Sequence, residues 1–162
     1  MNTRSYEAAL KSIERIAKPS AQIMEAKQKI LFQLGTQSFA NANFEQALQY
    51  LNQSIAIGQY NRQTKADAYY WCGESYYRLN RMMEAARDFN AYLQLTTQPN
   101  NEMYALANYN LGYIAFHRKD YTQASNYFQK YIQLEKGENR TALADAYNRI
   151  CLLYTSDAAD EA

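Results

Sequence analysis

The stretch that decides the fold is Ala68-Tyr69-Tyr70-Trp71-Cys72-Gly73-Glu74-Ser75-Tyr76-Tyr77-Arg78, followed by Met82-Met83-Glu84-Ala85-Ala86-Arg87-Asp88-Phe89. Both pieces return elsewhere in the chain. Leu34-Gly35 precedes Ser38-Phe39 and Leu111-Gly112 precedes Ala115-Phe116, just as Cys72-Gly73 precedes Tyr76-Tyr77, at spacings of 38 and 39 residues. The second piece returns as Phe44-Glu45-Gln46-Ala47-Leu48 and as Tyr121-Thr122-Gln123-Ala124, with Ala47, Ala85 and Ala124 again 38 and 39 apart. One period therefore governs both pieces, and a period of that length marks a repeat architecture.

Within each piece apolar and small residues recur at i, i+3 or i+4, and i+7, the spacing of one face of an α-helix. Two helices per period make a helical hairpin. The breaks inside the hairpins fall at Ala40 to Asn43, Arg78 to Arg81 and His117 to Asp120, where Asn43 and Asp120 suit the N-cap of the helix that follows. Gly58 and Gly137 lie where second helices end, as C′ residues do, and Pro19 and Pro99 fall at the other two junctions. With five glycines, two prolines and no regular succession of turn signals, the 162 residues exclude a sandwich or barrel.

The quoted residues resemble the tetratricopeptide repeat, whose signature is a bulky residue, then Leu-Gly, an aromatic one turn later, and an aromatic, an alanine and another aromatic in the second helix. Tyr69, Cys72, Gly73, Tyr76, Ala85 and Phe89 form the clearest copy. The departures are the longer period, Leu31 and Asn108 at the first bulky position, and Tyr92 and Tyr131 where a small residue is usual. The extra residues are expected in the junctions, as in Gly58 to Ala66. The resemblance implies an all-α fold, a right-handed α-solenoid of hairpins with a 38–39 residue period. Residues 1–18 read as the second helix of a truncated repeat, since Ala9 lies 38 residues before Ala47. Residues 19–150 read as the array: full repeats at roughly 21–58, 62–98 and 101–137, then the first helix of a fourth from about 139, where Ala144-Asp145-Ala146-Tyr147 echoes Ala66-Asp67-Ala68-Tyr69.

Residues 151–162 break the pattern. Cys151 stands where the period places a glycine, and Cys151 to Asp160 resembles one reading frame of a transposase adapter used in sequencing libraries. That segment is expected to be foreign to the fold. It holds Asp157, Asp160 and Glu161, so the near-neutral balance of 17 basic and 16 acidic residues is partly made there. Both outermost helices then lack hairpin partners, and association or fraying through these ends is expected.

Sixteen tyrosines call for an explanation. Tyr6, Tyr76 and Tyr121, with Phe44 and Phe89, occupy packing columns, where each buried aromatic contributes about 1.5 to 3 kcal/mol. A different face carries the functional expectation. In the resembled family the first helices line a concave groove that receives a partner segment. The matching positions here are Phe32, Thr36 and Phe39, then Tyr70, Glu74 and Tyr77, then Tyr109, Tyr113 and Phe116, with Trp71 and Arg78 beside them. Tyrosine, tryptophan and arginine are the residues most enriched in binding hot spots. The stripe lacks the lysine and asparagine clamp with which chaperone-binding members hold a terminal carboxylate.

No chemistry for catalysis emerges. The single histidine, His117, sits in a hairpin turn; Cys72 and Cys151 have neither zinc nor disulfide-framework spacing; no phosphate loop is present. No metal or cofactor is expected, the charge balance attracts no nucleic acid, and no apolar run is long enough to cross a membrane. The expected function is a non-catalytic scaffold binding a protein or peptide. The bias toward tyrosine, asparagine and glutamine resembles large repeat proteins of Gram-negative envelopes, which favours periplasm or envelope over cytoplasm and a role in envelope assembly. The alternative is the regulatory or substrate-docking region of a larger enzyme, a transferase or sensor kinase.

Overall fold

The computed structural model describes residues 2–99, 101–135, 137 and 139–160, the last seven of these by backbone alone. The described residues form α-helices and one 3-10 turn, and no strand. The helices are α1 (Thr3–Glu14), α2 (Ala21–Ala40), α3 (Phe44–Ala56), α4 (Arg62–Arg78), α5 (Met82–Leu95), α6 (Glu102–His117), α7 (Tyr121–Leu134) and α8 (Arg140–Asp160). Contacts group them into two units, residues 1–97 and 98–162.

In the first unit α2 pairs with α3 and α4 with α5, while α1 lies on α2 and α3 on α4. In the second, α6 pairs with α7, and α7 lies on α8. The crossing within each hairpin is set by its glycine. A Cβ at Gly35 would stand 2.5 Å from the Leu51 side chain, one at Gly73 2.8 Å from the Phe89 ring, and one at Gly112 2.8 Å from the Phe128 ring. Leu51, Phe89 and Phe128 are fully buried there, each filling the space a side chain would need. Ala47, Ala85 and Ala124, one turn earlier, are fully buried as well.

Local chemistry ends α2, α4 and α6 in the same way. Asn43 N–H donates to the Ser38 carbonyl and Ala42 N–H to that of Phe39; Arg81 and Asn80 do the same toward Tyr76 and Tyr77, and Asp120 and Lys119 toward Ala115 and Phe116. These paired bonds are the Schellman arrangement, which requires a left-handed residue. Ala42, Asn80 and Lys119 supply it with φ of 59°, 60° and 61°. Of the glycines singled out for helix ends, Gly58 does stand at C′, next after the Ile57 C-cap, but without a left-handed φ, and Gly137 lies one residue beyond C′ of α7. Gly58 opens the 3-10 turn Gly58–Tyr60 and lies under the stem of Lys65, and Gly137, at φ 86°, follows the Glu135 cap. Nor is Gly58 to Ala66 an extended junction: past the 3-10 turn, α4 has begun by Arg62.

The helix starts are capped by short polar side chains. Asn43 and Asp120 accept the amides of Gln46 and Gln123. Asn2, Ser20, Asn61, Asn101 and Asn139 do likewise for their helices. Only α5 among the capped helices differs: Arg81 makes no cap bond and instead pairs with Glu84 at 2.8 Å.

The deepest tyrosines are not those of the expected columns. Tyr76 is buried, Tyr6, Phe44 and Tyr121 are half-buried, and Tyr92 and Tyr131 are fully enclosed. In the first full hairpin their place belongs to Ser54, whose hydroxyl donates to the backbone carbonyl of the fully buried Gln28 at 2.8 Å. Gln28 in turn corresponds to Ala66 and Ala105. A small serine goes with a bulky glutamine, and a bulky tyrosine with alanine, so volume is conserved across the pair.

Candidate partner-binding face

On the first unit, Phe39 of α2 meets Trp71 of α4 edge to face, with ring centroids 5.0 Å apart, and Phe44 at 5.3 Å. The Arg78 guanidinium carbon stands 5.9 Å from the Phe39 ring centroid, within cation–π range. Trp71, Phe39, Phe32 and Tyr77 are half-buried and Arg78 is exposed, so this patch is amphipathic and reachable. Tyr70 and Glu74 behave differently. Tyr70 is 3% exposed, enclosed by Trp71, Phe89 and Tyr92 at 5.3 to 5.7 Å. Its hydroxyl donates to Glu74 Oε1 at 3.1 Å, and Arg78 Nη1 donates to Glu74 Oε2 at 3.2 Å. Glu74, 8% exposed, thus ties a core tyrosine to a surface arginine, and its carboxylate is satisfied by both.

On the second unit, Tyr109, Tyr113 and Phe116 pack against the buried cluster that includes Phe128, Tyr131 and Leu153. Both tyrosine hydroxyls donate to Asp145 Oδ2 on α8, Tyr109 at 2.9 Å. The Arg149 guanidinium lies 5.1 Å from the Tyr113 ring and 5.0 Å from the Phe116 ring, with Nε 3.7 Å from Asp145 Oδ1. Burial, then the Tyr113 hydroxyl and the Asp145 carboxylate, hold the Tyr109 phenol well above its ordinary range. Burial and the Glu135 carboxylate push the Tyr131 phenol up to about 12.

The stripe residues are therefore brought together within each unit, Phe32, Phe39, Trp71, Tyr77 and Arg78 as surface and Tyr70 and Glu74 as support. Sequence reasoning missed Asp145 and Arg149. The signal was present for Arg149, which occupies the same place in its helix, two residues before the crossing position, as Trp71. Trp71 covers Phe39 and Arg149 covers Phe116, and those two rings share a column.

Other reactive groups are quiet. Cys72 is fully buried, burial raises its thiol far above the ordinary value, and Sγ contacts Asn52 Oδ1 at 3.9 Å. His117 is exposed and lies 6.1 Å from the Phe116 ring. Among the described residues no group of three or more His, Cys, Asp or Glu is placed to hold a metal ion, and no helix is long and apolar enough to cross a membrane.

With hairpins and crossing glycines in place, a family model for the tetratricopeptide repeat matches residues 106–137, most of α6 and α7. Residues 106–137 thus match the tetratricopeptide repeat. Among solved structures, one of MamA is similar with a TM-score of 0.71 at 21% identity, over 96% of this chain and 77% of that one. A second MamA structure gives 0.65 at 20%, over 95% and 74%. BtubC from P. vanneervenii gives 0.71 at 13%, over 94% of this chain and 64% of its own. At these identities the likeness is one of fold. None of the curated proteins matches the chain.

Proposed function

We propose that this tetratricopeptide-repeat chain is a non-catalytic scaffold that receives a segment of a partner protein on its first-helix face. The observation that carries the reading is the Phe39–Trp71–Arg78 patch. Two half-buried aromatic rings from two first helices meet there beside an exposed guanidinium, the composition of a binding hot spot. Half-buried rings have already lost rotamer freedom to packing, so ordering them against a partner costs little. The bias toward tyrosine, asparagine and glutamine supports an envelope setting in a Gram-negative bacterium, with envelope assembly as the process served; cell fractionation tests the compartment.

The direct test is selection of binders from a displayed random-peptide library. Peptides selected on the parent chain are expected to lose affinity by about tenfold or more with Trp71→Ser or Arg78→Ser, at unchanged helix content. Selected peptides that bind both variants as tightly as the parent would place the receiving surface elsewhere.

A further inference from the structure

The clasp on the second unit has a counterpart on the first from which the donors are missing. Asp145 and Asp67 stand at the same place in α8 and α4, as the echo of Ala66-Asp67-Ala68-Tyr69 in Ala144-Asp145-Ala146-Tyr147 requires. Asp145 accepts the hydroxyls of Tyr109 and Tyr113. The positions on α2 that match those tyrosines hold Phe32, which has no side-chain donor, and Thr36, whose hydroxyl donates to the Gln33 carbonyl at 3.1 Å. Lys29, the cation in the Asp67 column of α2, pairs with Glu25 at 2.9 Å.

What remains to Asp67 is Gln63. The Thr97 N–H donates to Gln63 Oε1 at 2.8 Å, which turns Gln63 Nε2 onto Asp67 Oδ1 at 2.7 Å and fixes the half-buried carboxylate. Asp67 Oδ2 has no hydrogen bond among the described residues. Nor is it sealed off, since the fully enclosed side-chain oxygen without a partner among those residues is Gln28 Oε1. Burial raises the Asp67 carboxyl above its ordinary value and the Gln63 bond offsets part of this, as befits a carboxylate that has lost hydration without gaining a cation.

Asp67, Trp71, Glu74 and Arg78 follow at i, i+4, i+7 and i+11, a single face of α4. Glu74 and Arg78 neutralise one another at 3.2 Å, so of these four Asp67 carries the charge left uncompensated. We infer that the segment received on this face carries a basic side chain, lysine or arginine, that binds Asp67 Oδ2 while an apolar residue of the segment lies on Phe39 and Trp71. The inference rests on the first-helix face being the receiving surface and adds the chemistry of its occupant. Four residues of helix separate Asp67 from Trp71 by about 6 Å along the axis. Same-side residues of an extended segment are about 6 to 7 Å apart, so the basic and apolar residues stand two positions apart. The charge pair fixes register, which apolar contact alone does not.

Peptides selected on the parent chain from a displayed random library, with affinity measured by fluorescence anisotropy, test this. They are expected to be enriched in lysine or arginine two positions from an apolar residue. Asp67→Asn, which keeps the side chain's shape, lowers affinity about tenfold at unchanged helix content. Replacing the peptide's basic residue by methionine costs as much on the parent and nothing further on Asp67→Asn. Where Asp67→Asn lowers helix content, Asp67→Ser replaces it. Binding that falls with Trp71→Ser yet is unchanged with Asp67→Asn overturns this inference alone. So do selected peptides without a basic residue, and so does an Asp67→Asn loss of the same size with the methionine peptide, which a merely structural carboxylate would give. Binding indifferent to both Trp71→Ser and Arg78→Ser, or a library that yields no binder, overturns the receiving face and the inference with it.

Discussion

The first-helix stripe carries two chemistries on one set of columns. On α2 and α4 it is aromatic packing with a cation at its edge: Phe39, Trp71 and Arg78 over a floor of Tyr70 and Glu74. On α6 and α8 it is a polar clasp, with two tyrosine hydroxyls on one carboxylate and a guanidinium over two rings. The period sets where a side chain lies. The residue at that place sets whether the surface is held by dispersion and ring quadrupoles or by hydrogen bonds, which weaken differently with pH and salt. The first unit therefore presents an adaptable apolar patch and the second a charged, preorganised one.

The largest difference between the regions is expected from matched truncations. Tyr70→Ala empties a fully enclosed site and costs about 3 to 5 kcal/mol. Tyr109→Ala, at a half-buried site, costs less, about 2 kcal/mol including the lost bond to Asp145. Urea denaturation followed by circular dichroism compares them; equal costs would mean that the two stripes are equally deep.

Alkali should separate the regions next. The Tyr109 and Tyr131 phenols are raised in the folded chain, so the stability they confer is complete below the ordinary tyrosine value of about 10. It is lost as pH climbs through the folded values, for Tyr131 between about 10 and about 12. Tyr109→Phe and Tyr131→Phe should flatten the decline of stability above pH 10; a decline as steep as the parent's would show that these phenols do not set it.

A smaller effect comes from exchanging the two covers. Trp71→Arg gives the first unit the residue the second has in that column, and should cost about 1 to 2 kcal/mol because an arginine buries less ring area on Phe39. Thermal unfolding measures it, and no loss would mean that guanidinium and indole serve the column equally.

The smallest effect, a gain, is shared by both regions. Ala42→Gly and Lys119→Gly relieve a left-handed residue in each hairpin turn and should each add about 0.5 to 1 kcal/mol. Asn80→Gly should add less, since asparagine tolerates that conformation. A loss at Ala42 would indicate that the turn does not hold its left-handed geometry in solution.

The hairpins, their breaks and the crossing glycines were legible because each depends on spacing along one chain segment: a glycine and a large apolar residue recur at the same offset three times, as Gly35 and Leu51, Gly73 and Phe89, and Gly112 and Phe128. The turn geometry was not, because the left-handed position is filled by alanine, asparagine and lysine, none of which marks it as glycine would. The stripe was legible as a set of columns but not in depth. Tyr70 lies on the expected face, yet Tyr92, occupying a place that is usually small, joins Phe89 and Trp71 in closing over it. Asp145 was invisible because its role exists only through hydroxyls on Tyr109 and Tyr113, partners more than 30 residues away that no single-helix periodicity connects.

Amide chemical-shift mapping with a peptide selected on the parent chain tests the central claim most directly. The account predicts perturbations concentrated on α2 and α4 around Phe39, Trp71 and Arg78, with α3 and α5 little changed. Perturbations confined to the second helices α3 and α5, with α2 and α4 silent, would contradict it.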